Sequence, residues 1–92
     1  MKIHFYATLR PLVGGKTIEI PDKDGMTIRQ MFDAMLENFP ILQNEMFDQD
    51  GELLPHMHVF LNGRDVRHLE NPWDAVIEPD ATINIFPPVG GG

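Results

Sequence analysis

The chain begins with an alternation of apolar and polar residues that is typical of a β-strand. The apolar side chains of residues 2–9 all fall on one face: Ile3, Phe5, Ala7 and Leu9. Because successive side chains of a strand point to opposite sides, this spacing predicts a strand with one side in a core. After a predicted loop over residues 11–15, residues 16–20 repeat the pattern and predict the second strand of a hairpin.

The middle of the chain changes to helical spacing. Thr27 and Gln30 have the separation of a capping box, which predicts that a helix begins there. The apolar residues that follow recur every three or four positions and form one stripe: Ile28, Met31, Phe32, Met35, Leu36 and Phe39. Pro40 ends this helix or restarts it, and residues 41–47 predict a short second helical piece.

Three further strands are predicted in the second half of the chain, over residues 56–61, 65–69 and 82–86. Asn62-Gly63 between the first two is a strong signal for a tight hairpin. Residues 71–80 contain two prolines and are predicted to be irregular.

The predicted order of elements is therefore β-β-α-β-β-β, with one main helix. One helix can cover only one face of a sheet. The pattern predicts an α+β fold of the β-grasp, or ubiquitin-like, class, in which the helix covers a mixed sheet of four or five strands and the first and last strands are adjacent at its centre. Residues 1–86 would form this domain and residues 87–92 a flexible glycine tail.

Composition narrows the classes of function. Fourteen acidic residues against seven Lys and Arg give a net charge of −7, which argues against binding of nucleic acid. This charge suits a partner with a basic face, although an acidic surface that keeps the protein in solution is the simpler interpretation. The chain has no cysteine, no apolar run of membrane-spanning length and no signal-peptide opening, so we expect a cytoplasmic protein without a membrane partner.

The predicted domain offers few groups for catalysis. His56 and His58 would share one face of a strand and could begin a metal site, but no third ligand is placed with them, so no metal site is predicted. The chain lacks serine, and Gly14-Gly15 lies in a hairpin and not at the strand-to-helix turn of a phosphate loop. The domain is therefore not expected to be an enzyme by itself.

The face of the sheet away from the helix is predicted to be aromatic. Alternation directs Tyr6, Phe60 and Phe86 to this side. An exposed aromatic cluster on a small acidic domain favours a protein-binding surface. The alternative is that residues 41–55 or 71–80 fold over the three rings.

The chain ends in a stiff segment followed by glycines: Pro87, Pro88, Val89, Gly90, Gly91 and Gly92. The diproline restricts the exit from the last strand, and the glycines have no side chains, so they could enter a narrow channel. We expect residues 87–90 to contact a partner together with the aromatic rings, and the terminal carboxylate to be the reactive group. A loose end without a function is the alternative.

These motifs resemble a known family. Phe5-Tyr6-Ala7, Leu9-Arg10 and Leu12-Val13-Gly14 are similar to the opening of the small subunit of molybdopterin synthase and related ubiquitin-like sulfur carriers. Residues 59–63 fit the third strand and hairpin of that family, and residues 83–92 resemble its closing strand, diproline and terminal glycines. Residues 70–78, with Trp73, depart from the family pattern.

The resemblance implies a chemistry for the tail. In that family an E1-like enzyme uses ATP to adenylate the terminal glycine, which is then converted to a thiocarboxylate. Carried over, Gly92 would be the activated residue, Gly91 the slim neighbour inside the channel, and Phe86 the docking aromatic. The carrier itself would bind no cofactor, because ATP is consumed at its partner.

Sulfur would pass to the large subunit of molybdopterin synthase or to another sulfur-accepting enzyme. Two alternatives remain open. The chain could be a ubiquitin-like modifier joined to lysines through the same carboxyl group, or a binding domain whose tail is never activated.

Overall fold

The computed structural model of the chain describes residues 1–21 and 23–88. Five strands form one mixed sheet: β1 Lys2–Phe5, β2 Thr17–Glu19, β3 His58–Leu61, β4 Arg64–Asp65 and β5 Ile83–Phe86. The α-helices are α1 Arg10–Val13, α2 Ile28–Asn38 and α3 Leu42–Met46, and single 3-10 turns cover Ala7–Leu9, Val66–His68 and Pro72–Asp74.

The strands lie in the order β2-β1-β5-β3-β4. β1 and β5 are parallel neighbours, with Ile3 beside Ile83, and every other pair is antiparallel. The prediction that the first and last strands meet at the centre of the sheet is therefore confirmed. The inner faces of β1, β3 and β5 hold side chains that are fully buried: Ile3, Phe5, Val59, Ile83 and Ile85.

Helix α2 covers this inner face. The predicted capping box is present: the Gln30 amide N–H donates to Thr27 Oγ1 at 3.2 Å, and the Thr27 amide N–H donates to Gln30 Oε1 at 3.0 Å. The buried residues of α2 come from the predicted stripe: Ile28, Met31, Phe32 and Met35. The short helical piece after Pro40 is confirmed as α3, which buries Leu42 and Met46.

The first predicted strand is too long. β1 ends at Phe5, and Ala7 has a φ of 52°, in the left-handed region that breaks a strand. Ala7 is consequently exposed and not in the core, whereas Leu9 is buried from a 3-10 turn. The predicted loop over residues 11–15 is in part helix α1, which ends at Gly14 with a φ of 78°.

Two later strands are also shorter than predicted. β3 begins at His58, and His56 lies in an exposed turn, so the prediction that both histidines share one strand face is wrong. β4 ends at Asp65 because its carboxylate accepts a hydrogen bond from the Arg67 amide at 2.9 Å and starts a 3-10 turn. Asn62 and Gly63, with φ of 51° and 81°, form the predicted tight turn between β3 and β4.

Within residues 1–21 and 23–88, the helices are all too short or too polar to cross a bilayer.

Candidate docking site

Three aromatic rings stand together on the outer face of the sheet, the side away from α2. The rings of Tyr6 and Phe86 are stacked, with centroids 4.1 Å apart and an angle of 17° between planes. Phe60 meets Phe86 edge to face at 5.5 Å. All three side chains remain partly exposed. We call this group the aromatic surface, and it is the cluster that strand alternation predicts.

Strand pairing explains why the three rings meet. Tyr6 directly follows β1 in an extended conformation, Phe86 is the last residue of β5, and Phe60 lies within β3. In the parallel β1–β5 ladder Phe5 is opposite Ile85, so the next residues along each strand are also neighbours on the outer face. Two strands, β3 and β5, and the residue directly after β1 therefore supply one ring each.

Polar contacts fix the orientation of the Tyr6 ring. Its hydroxyl donates to Asn84 Oδ1 at 2.8 Å. On the other side of the cluster, Arg10 Nε donates to the Phe5 carbonyl at 2.9 Å and holds the guanidinium carbon 5.3 Å from the Tyr6 ring centroid. This distance is within the range of a cation–π contact. The cluster is therefore built in advance and need not be ordered by a partner.

His58 extends the aromatic surface toward β4. Its ring lies 6.2 Å from the Phe60 ring, and Nδ1 lies 3.4 Å from Asp65 Oδ2. Partial burial of Asp65 raises the pKa of its carboxyl. The hydrogen bonds from the Arg67 amide and His58, together with the Arg67 charge, outweigh that effect and leave the pKa below its ordinary value of 3.8. Asp65 is therefore a stable anion beside the rings.

An open apolar groove of about 550 Å³ crosses the aromatic surface. It is lined by His58, Phe60, Gly63, Asn84, Phe86 and Pro87. Pro87 is buried at its end and Pro88 is exposed, so the chain leaves the domain at the rim of the groove. Apolar area that stays open to solvent can bind a partner through the hydrophobic effect.

The segments proposed as alternative covers lie elsewhere. Phe47 packs edge to face on Phe32 of α2 at 5.3 Å, and Trp73 packs on the same ring at 5.5 Å. Both residues are thus on the helical side of the sheet, and they leave the aromatic surface open.

The structure gathers some of the predicted site residues and leaves others undescribed. Tyr6, Phe60, Phe86 and Pro87 lie together, with Pro88 next along the chain. Val89, Gly90, Gly91 and Gly92 fall outside the described residues, so their roles stay predictions. His58 contacts Asp65, and no group of three or more side chains in the described part of the chain could hold a metal ion.

Sequence reasoning missed Arg10, Asn84 and Asp65 as supports of the site. Arg10 lies between the predicted strand over residues 2–9 and the predicted loop over residues 11–15, yet the chain turns at Ala7 and brings the Arg10 guanidinium back over Tyr6. Pro11 at the start of α1 and Gly14 at its end are the sequence signals for this short helix.

Comparisons with known proteins agree with this architecture. The model of the ThiS family matches residues 3–92. The chain is 35% identical over 92 residues to small archaeal modifier protein 3 of Haloferax volcanii, a match that covers 100% of this chain and 98% of the relative. It is 31% identical over 71 residues to a candidate sulfur carrier protein of Archaeoglobus fulgidus, covering 77% of this chain and 80% of the relative.

A solved structure confirms the predicted fold. The crystal structure of small archaeal modifier protein 1 from Haloferax volcanii has a TM-score of 0.84 and 26% sequence identity, with 99% of this chain and 97% of the other covered. The β-grasp topology is therefore shared from end to end of the match.

Proposed function

The chain belongs to the ThiS family, and we propose that it is a sulfur carrier whose C-terminal Gly92 is adenylated by an E1-like enzyme and then converted to a thiocarboxylate. The observation that carries the proposal is the open aromatic groove, which ends at Pro87. A partner that binds this groove receives the chain at the point where the tail begins. The domain supplies binding and delivery, while the partner supplies the catalytic groups.

The chemistry of the tail follows from its terminal carboxylate. A carboxylate is a poor electrophile at neutral pH. Attack of a Gly92 oxygen on the α-phosphate of ATP releases pyrophosphate and turns that oxygen into part of a good leaving group, AMP. Hydrosulfide, or an equivalent donor of sulfide-level sulfur, can then attack the acyl carbon; the C–S bond forms as the C–O bond to AMP breaks, and loss of the sulfur-bound proton leaves the thiocarboxylate. ATP is used at the activating enzyme, so the carrier would need no cofactor of its own. We also propose that the carrier works in the cytoplasm.

The proposal also includes a recipient for the sulfur. The resemblance of both ends of the chain to the small subunit of molybdopterin synthase favours the large subunit of that enzyme. Another sulfur-accepting enzyme would use the same tail. In either case the recipient would bind the aromatic surface after the activating enzyme has left it, because both partners need the rim from which the tail departs.

A second candidate function is protein modification. It is favoured by the full-length similarity to a relative named small archaeal modifier protein 3. The same activated Gly92 would then form an isopeptide bond with a lysine of a target protein. Intact-mass measurement of the protein from its native cells distinguishes the two functions: a carrier shows one oxygen replaced by sulfur, and a modifier shows adducts joined through Gly92.

The proposal is tested by blocking the tail. Gly92→Val, or one residue added after Gly92, should abolish ATP–pyrophosphate exchange by the E1-like enzyme while the thermal unfolding curve is unchanged, because a side chain would obstruct the channel that admits the tail. Gly15→Val is the matched control: Gly15 is exposed, its φ is not left-handed, and an added Cβ meets nothing within 4 Å. Normal exchange with the tail-blocked variants would contradict the proposal.

A further inference from the structure

A second cleft lies on the helical side of the sheet and shares no residue with the groove of the aromatic surface. Its volume is about 270 Å³, and its walls include Phe32, Phe47 and Trp73. Phe32 and Phe47 are almost fully buried, whereas Trp73 is partly exposed. We call it the tryptophan cleft. Its aromatic wall belongs to the core and cannot easily move.

Backbone hydrogen bonds fix Trp73 at this cleft. The Ile28 amide donates to the Ala75 carbonyl at 3.0 Å, and the Ile77 amide donates to the Met26 carbonyl at 2.7 Å. These bonds tie residues 71–77 to the start of α2. The segment that departs from the family pattern in sequence is therefore an ordered part of the domain, and its one aromatic side chain lines a cavity apart from the groove of the aromatic surface.

A tight turn forms the opposite rim. Asp48 Oδ1 accepts the amide N–H groups of Asp50 at 2.9 Å and Glu52 at 3.0 Å. Phe47 and Leu53 close the turn with an isolated β-bridge. The side chains of Asp50 and Glu52 are not used to build the turn, and both line the cleft.

The charges around the cleft favour a positively charged ligand. Asp33, Asp50 and Glu52 line it together with one basic residue, Arg29, which leaves an excess of two negative charges. The whole chain, with the residues of the cleft included, has a net charge of −7, which also attracts cations over a longer range. An aromatic wall beside carboxylates attracts a cation through the ring faces as well as through direct charge attraction.

We propose that the tryptophan cleft binds an arginine side chain presented by a basic segment of a partner protein. Arginine fits better than lysine because its planar, weakly hydrated guanidinium can stack on an indole and also pair with a carboxylate. The volume supports one side chain and not a larger ligand, since small-molecule pockets usually exceed about 300 Å³. The Trp73 indole N–H has no hydrogen-bond partner within residues 1–21 and 23–88, so it is available to a carbonyl of the same segment.

The test uses the fluorescence of Trp73, which is the single tryptophan of the chain. The full-length protein is titrated with a blocked pentapeptide that has arginine at its second and fourth positions and glycine elsewhere. We expect a saturable change in Trp73 emission that weakens with added salt. The same peptide with citrulline, the neutral analogue of arginine, should give no saturable change.

Two double variants distinguish binding in the cleft from a general attraction to the net charge of the protein. Asp50→Asn with Glu52→Gln should raise the Kd of the arginine peptide by about tenfold, since each exposed ion pair contributes up to about a factor of five. Glu19→Gln with Glu78→Gln removes the same charge from exposed positions outside the cleft and should change the Kd by less than about twofold. All four carboxylates are exposed, so the variants should unfold at the wild-type temperature.

Three results would overturn the proposal. The first is no saturable change in emission with the arginine peptide. The second is equal affinity for the citrulline peptide, which would make the contact merely apolar. The third is an equal loss of affinity in both double variants, which would assign the effect to net charge and not to the cleft.

Discussion

Removal of one ring from the aromatic surface tests the proposal that an E1-like activating enzyme binds there. Phe86→Ala deletes the central ring, which stacks on Tyr6 at 4.1 Å and receives the edge of Phe60 at 5.5 Å. It leaves the tail chemistry unchanged, because Gly92 is six positions further along the chain. We expect a folded carrier that binds the E1-like enzyme weakly.

The size of the effect follows from the exposure of the ring. Replacing a fully buried Phe by Ala costs about 3–5 kcal/mol. Phe86 is only partly buried, so about 2 kcal/mol of unfolding free energy should be lost, and a domain of this size typically has about 5 kcal/mol or more. The variant should therefore remain folded, with a Tm lowered by about 10 °C.

The same substitution should also weaken binding of the E1-like enzyme. An aromatic side chain at the centre of an interface typically contributes about 2 kcal/mol or more, which corresponds to about a 30-fold increase in Kd. Calorimetric titration of the E1-like enzyme with the carrier measures this change, and ATP–pyrophosphate exchange at saturating carrier shows whether the tail still reacts. We expect exchange to recover at high concentration, since docking is impaired and chemistry is not.

Ile41→Ala is the matched control for loss of an exposed apolar side chain. Ile41 is 52% exposed, lies just before α3 and does not line the groove of the aromatic surface. Its Kd should stay within about twofold of wild type, the usual range for residues outside a hot spot. A folded Phe86→Ala variant with the wild-type Kd would refute the docking argument, and so would an equal loss in Ile41→Ala.

Two further predictions concern the fold that carries the surface. Thr27→Ala removes the side-chain acceptor of the capping box and should lower the free energy of unfolding, measured with urea, by about 1 kcal/mol. Thr27→Ser keeps the hydroxyl and should keep most of this stability. Equal losses in the two variants would contradict the role of the hydroxyl. The folded state lowers the pKa of Asp65, so its contribution to stability is complete above the ordinary value of 3.8 and is lost as the pH falls through the lower folded value. The urea midpoint of the wild type should fall between about pH 5 and about pH 3, and Asp65→Asn should make this fall smaller. The exposed control variant Asp80→Asn should leave the fall as it is in the wild type. Identical pH profiles for wild type and Asp65→Asn would count against this account.

The sequence predicts those helices and strands in which the apolar residues repeat at one regular spacing without interruption. The capping box at Thr27 and the apolar stripe of α2 come out as expected, because local hydrogen bonds and core burial favour the same conformation there. The outward positions of Phe60 and Phe86 follow from strict alternation within β3 and β5.

The prediction fails where the chain changes direction at a residue with no special signal. Ala7 adopts a φ of 52°, a conformation that alanine rarely favours, and the alternation of apolar residues hides this turn. Leu9 still reaches the core from the 3-10 turn, so burial by itself could not distinguish the two conformations. Pairing of Arg10 with Tyr6 depends on that turn and was beyond local reasoning.

The two surfaces place different demands on the carrier. Under the proposed function, the activating enzyme and the sulfur recipient both need the rim beside Pro87, so they must bind one after the other. The aromatic surface must therefore release the activating enzyme before the recipient can bind. The groove is lined by six residues, and a small interface suits such exchange better than the larger interfaces of permanent complexes do. The tryptophan cleft shares none of the residues of that groove, so a side chain bound there would not occupy the contact surface that the two enzymes need. Occupation of the cleft would therefore keep the carrier attached to a third protein while the two enzymes exchange at the rim. If that third protein also binds the two enzymes, their effective concentration at the rim would rise without any change in their own affinities.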